Sequence, residues 1–229
     1  MVDIRLASTA SEREEIFRFR YQVYVLEQGR RQRYADHARQ QIIEPLDSSA
    51  ALLGAWRGSA LVGTLRINCS RDGNLCGYDA LYAMARVGRY HPTRTAITTK
   101  FVLHPRERGH AIAVRLCVAA FSYGTSREIA FNFIDCNPGA PRIIEFFEAL
   151  GYVRLPDTIE HDEYGTAIPL VLCLADRDHL EAIRSPFRKL TIPADPEVVR
   201  LHRRSISPVI LPRENEQAFG NAEHAGITT

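Results

Sequence analysis

Apolar residues fall at alternate positions in some stretches of this chain and at every third or fourth position in others, and the change of period marks its elements. Ile4 to Ala7 suits a short first strand. Ser11 followed by Glu14 has the spacing of a capping box, which starts a helix with Ile16, Phe19 and Val23 on its apolar face and an end near Tyr24 to Glu27. Gln28 to Gln41 is polar and basic, with Arg30, Arg31, Arg33, His37 and Arg39, and predicts a mobile surface loop. Ala51 to Trp56 and Ala60 to Asn68 are strand-like runs separated by Arg57, Gly58 and Ser59, the composition of a tight hairpin at the centre of an antiparallel sheet. Ile97 to His104 is a further strand, stopped by Pro105, and leads into a helix from Gly109 to Tyr123 with Ile112, Leu116, Ala119, Ala120 and Tyr123 on one face. Ile129 to Asp135 predicts an apolar strand, Pro141 to Leu150 a helix closed by Gly151, and Tyr164 to Leu174 a long strand after which Asp176 caps a last helix to Ser185. The order is β, α, β, β, β, α, β, α, β, α, an α/β (α+β) arrangement.

The length of 229 residues accommodates one domain, placed at 1–190, with a C-terminal extension over 191–229. Beyond Pro186 the apolar period fades among Pro, Arg and Glu, and Glu214 to Thr229 is expected to be disordered. The segment from Lys189 to Arg213 can pack on the domain, dock a partner or remain a basic tail. No apolar run approaches the roughly 20 residues that cross a bilayer, and Met1 to Thr9 carries Asp3 and Arg5 where a signal peptide needs an apolar run. A cytoplasmic protein is expected. The net charge of +2, with basic residues scattered along the chain, argues against a nucleic-acid partner. Five cysteines (Cys69, Cys76, Cys117, Cys136 and Cys173) form an odd set without CxxC spacing, so neither a disulfide framework nor a metal site is expected.

The most informative stretch is Phe101-Val-Leu-His-Pro-Arg106-Glu-Arg108-Gly109-His110-Ala111, a strand that turns into a helix with small residues at alternate positions. Such a turn presents backbone N–H groups at the positive end of a helix, and Gly109 and Ala111 allow an anion to come close. The same residues also suit an ordinary turn with Arg106 and Arg108 in solvent. A second strand-to-helix junction, Asp135-Cys136-Asn137 through Leu150-Gly151-Tyr152, follows about 30 residues later.

Together the two junctions resemble the GNAT superfamily of acyltransferases, over roughly Ala51 to Leu174. The family's Arg/Gln-x-x-Gly-x-Gly/Ala loop corresponds to Arg106, Gly109 and Ala111, and its Leu-Gly-Tyr/Phe helix end to Leu150, Gly151 and Tyr152. The resemblance implies a mixed, mostly antiparallel sheet with helices on both faces, splayed between the strands at Thr98 to His104 and Ile129 to Asp135. A pantetheine arm would lie in that wedge against the backbone of Val102 and Leu103, which would polarise the thioester carbonyl. Arg106, Arg108, Gly109, His110, Ala111 and Asn137 complete the implied donor site. Many of these acetyltransferases protonate the departing thiolate with a tyrosine where this chain has Phe147; either another acid serves or the thiolate leaves as such.

The N-terminal half narrows the resemblance. Arg20-Tyr-Gln-Val-Tyr24, Glu44-Pro-Leu-Asp47 and Gly63-Thr-Leu-Arg66 resemble motifs of the acyl-homoserine-lactone (autoinducer) synthases and the N-acyl amino acid synthases, and Asp176 to Phe187 resembles the close of the latter. The lactone synthases carry Glu-x-x-Arg before the thioester loop, where this chain has Ile97-Thr98-Thr99-Lys100, so only the cation remains and the amino-acid relative is favoured. The implied reaction moves an acyl group, a long chain above all, from an acyl carrier protein or coenzyme A thioester to the amine of an amino acid, with no tightly bound cofactor. Glu44 or Asp47 is the candidate base, Arg20, Arg66 and Lys100 complete the implied catalytic set, and arginine can grip a substrate carboxylate. Arg20 with Asp47 and Arg66 with Glu44 can equally form ion pairs that hold the N-terminal segment on the sheet. A long-chain donor also requires an apolar tunnel beside the wedge. A small-acyl acetyltransferase, a lactone synthase and a catalytically silent thioester-binding module are the alternatives.

Overall fold

The structure, a computed structural model, describes residues 1–108, 111–161, 165–193 and 195–206. Strand β1 (Val2–Leu6) leads into helix α1 (Ala10–Tyr21), which a widened turn, Gln22–Glu27, prolongs to the expected end. The helix begins earlier than Ser11 and Glu14 suggest. Thr9 is its cap: the hydroxyl accepts from the Glu12 N–H at 3.2 Å, and the Glu12 carboxylate accepts from the Thr9 N–H at 3.0 Å. Thr9 has extended backbone angles whereas Ser11 is already helical, so only Thr9 can turn its side chain back on the first N–H groups. Ile16, Phe19 and Val23 are buried against Leu52, Trp56, Leu61 and Val102. Within the expected loop from Gln28 to Gln41, β2 (Ala35–Asp36) and β3 (Gln41–Ile42) form a small antiparallel pair.

The main sheet has two antiparallel halves. In the first, β4 (Ala51–Arg57) lies between β1 and β5 (Ala60–Cys69), and β5 pairs with β6 (Thr95–Leu103). In the second, β7 (Phe131–Cys136) and the short β8 (Val153–Arg154) and β9 (Ile159–His161) all pair with β10 (Gly165–Cys173). The halves meet where β6 and β7 run parallel, through three residue pairs: Thr95 with Phe131, Ala96 with Asn132 and Ile97 with Phe133. Beyond Ile97 the two strands part. This is the expected splay, in a mixed, mostly antiparallel sheet with helices on both faces.

Between β5 and β6 the chain builds a layer that its apolar period does not mark: helix α2 (Tyr78–Leu81) and a 3₁₀ stretch, Met84–Tyr90. Elements this short cannot show a full 3.6-residue pattern. Tyr82, Met84, Val87 and Tyr90 pack on Ile97, Phe131 and Phe133 from the face that α1 also covers. The opposite face carries α3 (Ala111–Ser126), α4 (Pro141–Leu150) and α5 (Arg177–Ala182), with Leu116, Phe147 and Leu180 against Leu65, Ile67 and Leu172. Gly151 closes α4 at φ 116°, and a Cβ there would sit 2.4 Å from Leu180 Cδ2, so glycine alone fits.

Part of the C-terminal extension joins this body. Helix α6 (Pro196–Ile206) buries Val198 and His202, with His202 Nδ1 3.4 Å from the Asp176 carboxylate. Its apolar stripe is too narrow to stand out among Pro, Arg and Glu. Glu214 to Thr229, expected to be disordered, lies outside the described residues. Among the described residues no helix is long and apolar enough to cross a membrane.

Candidate active site

Side chains alternate across a strand, so β5 turns Leu65, Ile67 and Cys69 to the α3 face and Thr64, Arg66 and Asn68 to the α1 face. Opposite Arg66 the register slips, because β6 holds one residue more than its partner: Thr64 faces Val102 and Arg66 faces Thr99. Lys100 occupies this bulge in the left-handed region at φ 51°, a conformation that costs a residue with a Cβ free energy. The extra residue breaks the alternation and sends Thr99 and Lys100 to the same side. Thr99 Oγ1 accepts from Arg66 Nε at 2.9 Å, and Lys100 Nζ lies 2.6 Å from Glu44 Oε1.

A chain of buried charges results. Glu44 Oε2 is 2.7 Å from Arg66 Nη1, which also reaches Asp47 Oδ1 at 3.3 Å, and Arg20 Nη1 donates to both Asp47 oxygens at 2.9 and 3.0 Å. The Glu44–Asp47 turn is tied back on itself, since the Glu44 N–H donates to Asp47 Oδ2 at 2.8 Å. Burial pulls the Arg20 guanidinium below its ordinary value, and the attraction of Asp47 works against it. For Arg66 burial acts in the same sense but Glu44 and Asp47 outweigh it, and its value is raised. Both ion pairs named from the sequence, Arg20 with Asp47 and Arg66 with Glu44, are formed. Arg20 Nε and Nη2 and Arg66 Nη2 have no hydrogen-bond partner among the described residues, an arrangement that stability alone does not favour.

The parting of β6 from β7 opens a pocket of about 400 Å³ lined by Thr98 to Leu103 on one side and Ile134 to Asn137 on the other. Val102 and Leu103 pair with Thr64 and Gly63 of β5 and β7 does not pair with them, so the wedge-facing edge of their backbone has no strand partner among the described residues. Asn137 and Arg108 also line the pocket, Arg108 with an ion pair to Glu27 at 2.6 Å. Phe101 stacks on Phe146 and meets Phe147 edge-on. Behind these rings an apolar cleft of about 20 Å³ runs between the sheet and α3, with Phe101, Phe147, Cys117 and Phe187 in its lining.

Other residues named from the sequence fall elsewhere. Arg106 and Ala111 line a separate pocket of about 560 Å³ with Arg57 and Arg115. Gly109 and His110 lie outside the described residues. His104 caps the Pro105–Glu107 turn, its Nδ1 accepting from the Arg106 N–H at 3.3 Å. Cys136 is buried, and burial pushes its thiol up to about 12, as it does for Cys117 and Cys173. An aromatic disulfide reagent at pH 8 is therefore expected to titrate the exposed Cys76 rapidly and the four buried thiols only after denaturant is added; a second fast equivalent would contradict this burial.

The apolar pattern did not point to Tyr78, Tyr82, Asp135 or His161. Tyr82 donates a short hydrogen bond to Asp135, which lies on the wedge pocket, and Tyr78 Oη is 3.0 Å from His161 Nε2. Tyr78 and His161 line the wedge and also a second pocket of about 620 Å³, with Glu44, Arg31, Arg33, Tyr34 and Glu160. The four-residue spacing of Tyr78 and Tyr82, which stacks side chains on one helical face, is the one sequence signal that bears on them.

The family model described as N-acyl amino acid synthase FeeM matches residues 15–176. FeeM from uncultured soil microbes superposes with a TM-score of 0.61 at 19% identity, covering 84% of this chain and 99% of its own. BjaI, a CoA-dependent acyl-homoserine lactone synthase solved with SAM and isopentyl-CoA, gives 0.60 at 16% identity over 89% of this chain and 100% of its own. A Lactobacillus plantarum protein described as an N-acetyltransferase gives 0.54 at 17% identity, over 75% and 97%. No curated protein sequence matches. The arrangement is the GNAT fold.

Proposed function

The chain belongs to the family of the N-acyl amino acid synthase FeeM and is an acyltransferase, and on that premise we propose that it joins a long-chain acyl group, carried on coenzyme A or an acyl carrier protein, to the amine of an amino acid. The observation that carries this reading is that two pockets share Tyr78 and His161 in their linings, with Lys100 on the first ion-paired to Glu44 on the second. The thioester takes the wedge, with its carbonyl against the backbone of Val102 and Leu103, and the acceptor takes the second pocket, where Glu44 and the guanidinium groups of Arg31 and Arg33 face it. Glu44 receives the amine proton. Asp47, with both oxygens engaged and almost no exposure, positions Glu44 and Arg66 rather than touching substrate.

The acyl chain runs into the apolar cleft as Phe101 and Phe147 turn aside. The narrowness of that cleft favours one second reading, a short-chain acyltransferase that fills the wedge alone. Purified protein given acyl-coenzyme A donors from acetyl to hexadecanoyl and a mixture of the common amino acids, followed by mass spectrometry, separates the two. Amides of long acyl groups with one amino acid are the expected product; N-acetyl products alone would establish the short-chain reading instead.

A further inference from the structure

We propose that Tyr78, backed by His161, is the general acid that protonates the departing thiolate, the task for which Phe147 offers no proton; the assignment rests on the amide-forming reading above. The requirement is chemical. When the tetrahedral adduct collapses, the C–S bond breaks and its electron pair stays on sulfur, which leaves faster if a proton arrives as charge develops. The acid must reach the thioester pocket and regain its proton after each turnover.

Tyr78 meets both conditions. Its side chain lines the wedge that Lys100 to Leu103 also line, and its hydroxyl is 3.0 Å from Nε2 of the buried His161. The rings of Tyr78 and His161 lie 5.8 Å apart, and Tyr82 packs at 5.5 Å on the Tyr78 ring while its own hydroxyl is fixed on Asp135. The phenol is thereby held in place by two rings. His161 also lines the second pocket, so a proton can pass from that side to His161, on to the Tyr78 oxygen, and from the Tyr78 hydroxyl to sulfur. The balance closes over a turnover: the amine gives a proton to Glu44 as the C–N bond forms, and the Tyr78 hydroxyl gives its proton to sulfur as the C–S bond breaks and takes one from His161. Glu44 then releases a proton to, and His161 regains one from, the solvent of the second pocket that both line. The other candidates are less suited. Lys100 Nζ is committed to Glu44 at 2.6 Å, and Cys136 is buried. Tyr24, the other phenol on the pocket among the described residues, has its ring against the cations Lys100 and Arg30, whose positive charge favours the phenolate over a proton donor.

The test compares two octanoyl donors by thiol release and by amide product: octanoyl-coenzyme A, whose thiol resembles cysteine with a pKa of about 8.5, and 4-nitrothiophenyl octanoate, whose thiol leaves already ionised at neutral pH. Tyr78→Phe is expected to lower kcat with octanoyl-coenzyme A by about 10²-fold, the lower end for general acid catalysis, and with the aryl donor by less than about 3-fold. His161→Gln, which keeps a hydrogen-bonding group but carries no titrating proton, should show the same split. Equal losses with both donors, no loss with either, or the split appearing in Tyr24→Phe instead would each overturn the assignment. If the unmodified protein releases thiol but forms no amide, the function proposed above fails, while the donor split still decides the acid.

Discussion

Glu44→Gln is expected to reduce amide formation by about 10²- to 10⁴-fold, the range that a positioned base supplies. Glu44 is the one carboxylate of the buried network that also lines the second pocket, and unlike Glu160, the other carboxylate described there, it is tied to Arg66 and Lys100. Glutamine keeps the side-chain length and one acceptor oxygen, which leaves a hydrogen bond open to Arg66 or Lys100 but no group basic enough to take a proton. Donor binding should survive, because the wedge edge at Val102 and Leu103 is not altered. Steady-state rates with saturating donor, together with donor affinity from fluorescence or calorimetry, separate the two effects. A variant that loses donor affinity and rate in the same proportion would show that Glu44 shapes the pocket rather than acting on the amine.

Arg66→Ala is expected to be the most destabilising single change in the network, by about 3–5 kcal/mol, because it strips a buried carboxylate pair of its shared cation. Arg66 is fully buried and touches Glu44, Asp47 and Thr99 at once; no neighbouring side chain can take its place, since Arg20 is committed to Asp47 and Lys100 to Glu44. Urea unfolding followed by circular dichroism reads the loss directly. Lysine should rescue only part of it, since an ammonium cannot reproduce the fork that meets both carboxylates and the threonine hydroxyl. A drop below about 1 kcal/mol would mean that the carboxylates find other partners and that the network is slack.

Much of this candidate site is legible in the sequence through motifs that resemble those of the N-acyl amino acid synthases, and such motifs are readable because each is local. Arg20, Glu44, Asp47 and Arg66 each stand in a short run of fixed geometry: a helix end, a turn of one 3₁₀ element, and an alternating strand whose inward face is set by its neighbours. Their meeting follows from topology once β5 is seen to lie in the middle of its half-sheet. Lys100 enters only as the cation that stands where the lactone synthases carry the arginine of Glu-x-x-Arg. That it reaches Glu44 depends on a one-residue bulge, and nothing in Thr98-Thr99-Lys100-Phe101 announces where a strand will slip. Tyr78 and His161 are less visible still. One sits in a helix of four residues and the other in a strand of three, and each acquires its meaning from a partner 83 positions away. The capping box shows the same limit on a smaller scale: Thr9-x-x-Glu12 and Ser11-x-x-Glu14 match the same pattern, and only the end of the preceding strand decides between them.

The three residue pairs that join β6 to β7 are the one strand pairing between the two half-sheets among the described residues. Each half-sheet is stiffened by its own antiparallel ladder, so a small rotation at Ala96 and Asn132 would be carried outward as if along two levers and would be largest where Leu103 and Cys136 bound the opening. Substitutions at Ala96 and Asn132, which line the apolar cleft behind the wedge, should therefore change how bulky an acyl group the proposed donor site admits while every residue of the mouth is unchanged.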